Sequence, residues 1–417
     1  MPASDSGAQL IDRLERHVPA AALAALRTAE SICRERGLGL FLVGGTVRDL
    51  VLEREGFDID LSIEDDVEPI ATALAEMTGG RAVLHGSFGT AKVSGRDFVL
   101  DLARTRRETY LHPGALPTVE PASLVEDLAR RDFTINAIAL RLVPEAGEIV
   151  DPFRGMDDIA SGLVRVLHER SFQDDATRIL RALRYTSRLE FKLARQTEAL
   201  ARRDLSYLGT ISGPRIRREL ALLFEDTGAV EGTLLGQRLG VLEAIHPALH
   251  LGDDVAERWR EAIAGPKLAP RDELGFCLIA DARDEGTVAS VSQWLHLAGR
   301  IERALEQLVV LRKRTAELID ARSKPVEAVD VLDNIAPAAI WALALLTGGD
   351  VAQTCLAYLH EWRHVRPELN GNDLLALGMA PGVEVGETLR RLRFERLGGR
   401  VTTREQELAI VREALGG

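Results

Sequence analysis

Leu42-Val43-Gly44-Gly45-Thr46-Val47-Arg48-Asp49, followed by Phe57-Asp58-Ile59-Asp60-Leu61, is the stretch whose reading decides the fold. The apolar residues 40–43 predict a strand that runs into two glycines, then a short helix, then a second strand carrying two aspartates. Successive strand side chains point to opposite faces, so Asp58 and Asp60 share one face while Ile59 and Leu61 face a core. Two carboxylates on one face repel unless something neutralises them, and a hard cation such as Mg²⁺ does so through oxygen ligands. Paired glycines let backbone N–H groups approach phosphate oxygens. Each feature alone also has an ordinary reading, a solvated strand edge or a plain turn. The segments around them decide between the two.

Residues 20–36 predict a helix ended by Gly37, and residues 67–78 a second one closed by Gly79-Gly80. Three further strands are predicted at 82–84, 90–93 and 98–102, which together suggest an α+β head. Asp101 lies mid-strand, where a carboxylate is costly unless it binds something. It is the natural third acid beside Asp58 and Asp60, or else a strand residue bonded to backbone. Residues 105–121 form a long polar loop punctuated by proline, of a length more often functional than inert.

Downstream, Arg130-Arg131-Asp132-Phe133-Thr134-Ile135-Asn136-Ala137-Ile138 predicts a helix with Phe133, Ala137 and Ile138 inward and Arg131, Asp132 and Asn136 grouped at its start. Arginine supplies a fork for a triphosphate, and aspartate accepts from ribose hydroxyls or caps its helix. Residues 150–159 read as a turn into a short helix. Phe172-Gln173-Asp174-Asp175-Ala176-Thr177-Arg178 opens an amphipathic helix on which Asp175 and Arg178, three apart, share a face. That pair is either a routine ion pair or a base reader. A carboxylate accepting from an exocyclic amine beside a donating guanidinium suits cytosine and adenine, and not guanine or uracil. From about residue 193 everything reads as helix.

With 417 residues the chain exceeds one ordinary core. It lacks an apolar run long enough to span a bilayer and its start has no signal-peptide pattern, so a cytoplasmic protein without a membrane partner is expected. Cys33, Cys277 and Cys355 lie far apart, which predicts buried thiols. The net charge of −12 argues against nucleic acid, yet residues 178–218 hold a basic island opposed only by Glu190, Glu198 and Asp204. His360 and His364, four apart, have no acid at metal-binding spacing.

These segments, over residues 38 to 226, resemble the class II tRNA nucleotidyltransferase/poly(A) polymerase family. Gly44-Gly45-x-x-Arg48-Asp49 with Asp58-x-Asp60 is similar to its motif A, Arg130-Arg131-Asp132-Phe133-x-x-Asn136-Ala137 to motif B, and Asp151-Pro152-Phe153-x-Gly155 to motif C. Asp174-Asp175-x-x-Arg178 resembles motif D, with Asp174 in place of the usual Glu and Ala176 in place of the usual Pro. Arg215-x-x-Arg218-Glu219 fits motif E. The resemblance implies a polymerase-β-like nucleotidyltransferase head with a mixed sheet (1–162), then an all-α region of neck (163–226), body (227–335) and tRNA-binding tail (336–417). It implies template-independent addition of CCA to the 3′ end of tRNA from CTP and ATP. Asp58 and Asp60 would hold Mg²⁺, with Asp101 as a further catalytic acid. Gly44, Gly45, Arg48, Arg131, Asp132, Asn136, Asp175, Arg178, Arg181 and Arg184 would bind the nucleotide. A-only addition ranks second. CC addition is disfavoured by the long loop, and poly(A) addition by the acidic end of the chain. A catalytically inactive RNA-binding protein is the reading from another class.

Overall fold

The structure, a computed structural model, describes residues 6–415 apart from 55, 57, 86–88, 110, 113, 116, 281 and 298. Phe57, quoted above at the head of the second strand, and Tyr110, Pro113 and Leu116 of the loop lie outside the described residues. Two compact units form: one of residues up to Ile211 with Leu239–Ala244, the other of Ser212–Arg238 with everything from Ile245 on.

The first unit begins with helix α1 (Gly7–His17), which the sequence reading did not identify. Its signal was present, since Ser6 and Gln9 form a capping box and Leu10 and Leu14 are buried one turn apart. Helix α2 (Ala20–Glu35) follows and stops where Gly37 takes a φ of 67°. Strand β1 (Leu40–Val43) is buried throughout. It leads through Gly44 into α3 (Gly45–Val51), then β2 (Ile59–Ile63), α4 (Glu68–Thr78), β3 (Arg81–His85), β4 (Thr90–Ser94) and β5 (Val99–Arg104).

Residues 105–121 are not an irregular loop. Strand β6 (Arg106–Thr109) pairs antiparallel with β7 (Thr118–Pro121), so the segment rises as a hairpin whose polar strands give no apolar alternation to read. After α5 (Leu124–Ala129), the helix predicted at 133–138 is absent. Thr134–Asn136 makes one 3₁₀ turn, and Ala139–Val143 forms strand β8, paired with the two-residue β9 (Ile149–Val150). The run is apolar at nearly every position because it is buried on both faces, and such a run carries no period.

The sheet order is β3-β4-β5-β2-β1-β8-β9. It is mixed: β2 pairs parallel with β5, while its other neighbours pair antiparallel. Helices α2 and α4 pack on each other and reach β8 and β4, burying Leu26, Ala29, Ile70 and Leu74. Helix α6 (Gly155–Ser161) begins where Asp151 accepts from the N–H groups of Gly155 and Met156. A Cβ on Gly155 would lie 2.2 Å from the Thr134 carbonyl, so only glycine permits this approach. Short parallel strands β10 (Leu163–Val164) and β11 (Lys192–Leu193) flank α7 (Ser171–Asp174) and α8 (Thr177–Leu189).

Beyond Leu193 every element among the described residues is helical. The second unit packs Phe224 edge-on to Phe276, with ring centroids 5.1 Å apart, and against Trp259 at 6.0 Å. Leu369, Leu374, Leu392 and Val411 build a smaller core near the end of the chain. Cys33, Cys277 and Cys355 are free and buried, and burial raises each thiol pKa. Among the described residues no single helix is long and apolar enough to cross a membrane.

Candidate active site

At the end of β1, Gly44 adopts φ 66° and ψ −127°, a conformation that residues with a Cβ avoid. A Cβ here would also lie 2.4 Å from Arg131 Nη1, so the glycine makes room for a guanidinium as well as a turn. One residue past Gly45, the Thr46 hydroxyl donates to the Asp58 carbonyl (2.7 Å) and accepts from the Asp60 N–H (3.0 Å). This side chain, which the sequence reading passed over, ties the glycine turn to the two acids.

Ile59 and Leu61 are buried while Asp60 faces the other side of the sheet. Asp58 lies one residue before the strand proper and is exposed. Asp101 sits opposite Asp60 in the β2–β5 register and pairs with Lys92 at 3.2 Å. Burial pushes the Asp60 carboxyl up to about 6, helped by the charges of Asp101 and Asp58 and opposed by Arg131 and Lys92. Among the described residues no group of three or more acids, histidines or cysteines is placed to hold a metal ion by itself. The donors Asp58, Asp60 and Asp101 nevertheless suit a hard divalent cation in kind, since all are carboxylate oxygens, and water or substrate oxygens would complete its shell.

A wall of arginines stands across from the acids. Asp127, fully buried, accepts from Arg130 Nη2 (2.8 Å), Arg131 Nη2 (3.1 Å) and the Arg106 N–H (3.2 Å). Burial alone would raise its pKa, but Arg131 and Arg130 outweigh it and the carboxyl lies below its ordinary value. Arg130 also donates to Glu108 of β6 at 2.9 Å, which fastens the hairpin to the site. Asp132 accepts from Asn136 Nδ2 and its own following N–H, both at 2.9 Å, and from Arg181 Nε at 2.8 Å. It too titrates below its ordinary value: burial raises it, and Arg181, Asn136 and Arg178 overcome that.

Asp175 and Arg178 do not share a helical face, contrary to expectation. Asp175 is extended (φ −146°, ψ 101°) in the break between α7 and α8. Its carboxylate accepts from the Thr177 N–H (3.0 Å) and hydroxyl (2.7 Å), a local bond that competes with helix and starts α8 afresh. The amphipathic period continues across the break, which is why the sequence reads as one helix. Arg178 Nη2 donates to the Arg130 carbonyl at 2.6 Å.

The predicted residues thus converge. One cleft of about 340 Å³ is lined by Gly45, Asp60, Arg131, Asp132 and Asn136, together with Asp175, Arg178 and Arg181. Glu108, Arg130 and Tyr185 complete it. A second cleft of about 350 Å³ shares Asp60 and Arg131 and extends over Lys92 and Asp101. Gly44, Arg48, Asp58 and Arg184 line neither cleft, contrary to expectation. Arg48 is buried, bonded to Asp49 at 2.8 and 2.9 Å and to Asn136 at 2.5 Å. Arg48, Arg181 and Arg184 all stack on Tyr185, 5.2 to 5.5 Å from its ring centre. Tyr185 is one helical turn after Arg181, and that spacing was the one signal for it in the sequence.

Two buried donors on the cleft side chains have no partner: Arg131 Nε and Arg178 Nη1. An unsatisfied donor of this kind costs about 1–3 kcal/mol, which an acceptor-rich ligand would recover.

A mixed sheet that presents acids against an arginine wall defines a nucleotidyltransferase head, and residues 40–165 match the family described as the Poly A polymerase head domain. The chain is 32% identical to an A-adding tRNA nucleotidyltransferase of Halalkalibacterium halodurans, over 97% of this chain and 95% of that protein. It is 33% identical to an A-adding tRNA nucleotidyltransferase of Geobacter sulfurreducens over 96% of its own length, but spans about half (48%) of that relative. Other relatives are named CC-adding (Deinococcus radiodurans, 32%) and CCA-adding (Lactobacillus helveticus, 28%). The structure of a Thermotoga maritima CCA-adding enzyme complexed with tRNA superposes with a TM-score of 0.74 at 25% identity, covering 98% of each chain. The chain belongs to the tRNA nucleotidyltransferase/poly(A) polymerase family.

Proposed function

We propose that this chain, as a soluble cytoplasmic enzyme, transfers a nucleoside monophosphate from a triphosphate to the 3′-hydroxyl of tRNA and releases pyrophosphate. The observation that carries this is the shared cleft, where Asp60 faces Arg131, Asp132, Asp175, Arg178 and Arg181 and two buried guanidinium N–H groups await an acceptor. Arg131 and Arg181 meet the triphosphate with charge-assisted hydrogen bonds. Asp132, already fixed by Asn136, offers its carboxylate to the ribose hydroxyls. Asp175 and Arg178 read the base, accepting from the exocyclic amine and donating to the ring. Asp58 and Asp60 hold the divalent cation, with Asp101 beside them; bound there, Mg²⁺ would lower the pKa of the attacking hydroxyl and neutralise the triphosphate.

For the terminal specificity we favour A addition, with CCA addition second. This reverses the order drawn from the sequence. Two relatives matched over 96–97% of the chain at 32–33% identity carry A-adding names, beside a CC-adding one at 32% identity over 90% of it. CCA addition is supported by solved neighbours described as complexes with ATP and with CTP.

Purified protein offered tRNAs ending before CCA, after C and after CC, with each nucleotide separately, gives product lengths that decide. One A on the CC-ended tRNA alone supports the first reading; stepwise extension of all three supports the second. Asp60→Ala should abolish transfer and leave tRNA retention in a filter-binding assay unchanged. No Mg²⁺-dependent incorporation into any tRNA would sink the enzymatic reading in favour of an RNA-binding protein.

A further inference from the structure

We propose that His168 is a positioning residue for base selection: paired with Asp174 beside Arg178, it sets how firmly that guanidinium is held for the nucleotide. This rests on the base-reading role given to Arg178 above.

Arg178 lines two clefts. One is the first cleft described above. The other, a third cleft of about 240 Å³, shares Glu108, Arg130 and Arg178 with it and adds His168 and Asp174. Arg178 is buried, its Nη2 donates to the Arg130 carbonyl at 2.6 Å, and its Nη1 has no partner. A guanidinium held so sparingly depends on the charges around it.

Most of the charges lining the third cleft are committed elsewhere. Glu108 accepts from Arg106 and Arg130 at 3.2 and 2.9 Å. Glu126 accepts from the Ser123 hydroxyl and lies 3.8 Å from Arg107, which itself pairs with Glu120 at 2.7 Å. Asp174 is bonded to no arginine among the described residues. Its ion-pair partner is His168, Nε2 to Oδ2 at 3.8 Å, which is too long for a hydrogen bond. A neutral imidazole at that distance leaves the Asp174 charge to attract Arg178. An imidazolium takes that charge for itself and repels Arg178, so both effects loosen the guanidinium. Burial, with the charges of Arg178 and Arg170, holds the His168 pKa below its ordinary 6.5 against the pull of Asp174. The neutral, Arg178-holding form therefore prevails at pH 7.

The test is the ratio of kcat/KM for ATP over GTP, measured with a tRNA that the wild-type chain extends, from pH 8 down to about 5.5. Both nucleotides share the titration of Asp60, which cancels in the ratio, whereas the contacts to the base edge do not. For the wild-type chain the ratio should fall about tenfold, the worth of one hydrogen bond, through a midpoint below 6.5. His168→Gln, which takes up no proton, should hold the pH 8 ratio throughout. His168→Lys, charged throughout, should show the lowered ratio even at pH 8. A histidine that only shapes the turn into α7, where its carbonyl accepts the Ser171 N–H, would move the melting temperature and not this profile. A flat wild-type ratio, an equal fall in His168→Gln, or a wild-type ratio in His168→Lys at pH 8 overturns the assignment and leaves the transfer reading intact. Full selectivity in Arg178→Ala, or no transfer by the wild-type chain, would instead overturn the reading on which this inference rests.

Discussion

Asp60 is a residue the fold tolerates at a cost. Its carboxyl titrates at about 6 rather than at its ordinary 3.8, chiefly because it is buried. Below 3.8 the acid is protonated folded and unfolded alike, and no penalty exists. As pH rises toward 6 the unfolded chain ionises more readily, and above 6 the full penalty stands, on the order of 2–3 kcal/mol. Asp60→Asn should therefore raise the melting temperature at pH 7 in the absence of divalent cations. The gain should vanish near pH 4, and transfer should be lost at every pH. Asp127 has the opposite sign. Its lowered pKa means the ionised form stabilises the fold above 3.8, and that support is lost as pH falls through the lowered value. Asp127→Asn takes the carboxylate from Arg131 and leaves Arg130 with Glu108 alone, and urea denaturation at pH 7 should show a loss of about 3 kcal/mol. Arg178→Ala should blur the preference for ATP and CTP over GTP and UTP, measured as ratios of kcat/KM; full selectivity in that variant would remove Arg178 from base reading.

Among the elements, those with a clean period or a glycine stop were legible. Strands β1 to β5 and helices α2 and α4 stand within a residue or two of where the pattern put them. Other features were not read, three of them for distinct physical reasons. The β6–β7 hairpin has polar strands, β8 is buried on both faces, and the break before α8 comes from a side-chain bond that leaves the helical period undisturbed. The acids and Arg131 were legible as chemistry because each breaks an apolar pattern or sits beside a glycine turn. Thr46, Glu108 and Asp127 were not, since a threonine in a short helix and acids among arginines look ordinary until the chain folds. Gly155 gives the element-scale prediction. Gly155→Ala pushes a methyl toward the Thr134 carbonyl, where α6 crosses the 3₁₀ turn. A loss of about 1–3 kcal/mol in chemical denaturation is expected from such overpacking. Because Thr134 precedes the turn that carries Asn136, the KM for nucleotide should rise in the same variant.

At the scale of the whole molecule, the chain divides into two compact units, with the first cleft lined only by residues of the first. Calorimetry should depart from a single two-state transition, and Mg²⁺ with ATP should raise only one of the component transitions, since a ligand stabilises the part that binds it. A single transition shifting as a unit would show the two bodies unfolding together. The net charge of −12 argued against RNA, and composition alone could not show that Arg48, Arg181 and Arg184 gather around Tyr185. The outermost strand of the sheet, Arg81–His85, has a further consequence for handling. Among the described residues it pairs with a strand on one side only, with Val83 and Leu84 each 39% exposed, and such an edge is a template onto which a second chain can add by cross-strand bonding. Crowded preparations should cloud from this rim first, and a lysine in place of Leu84 is the remedy its geometry suggests.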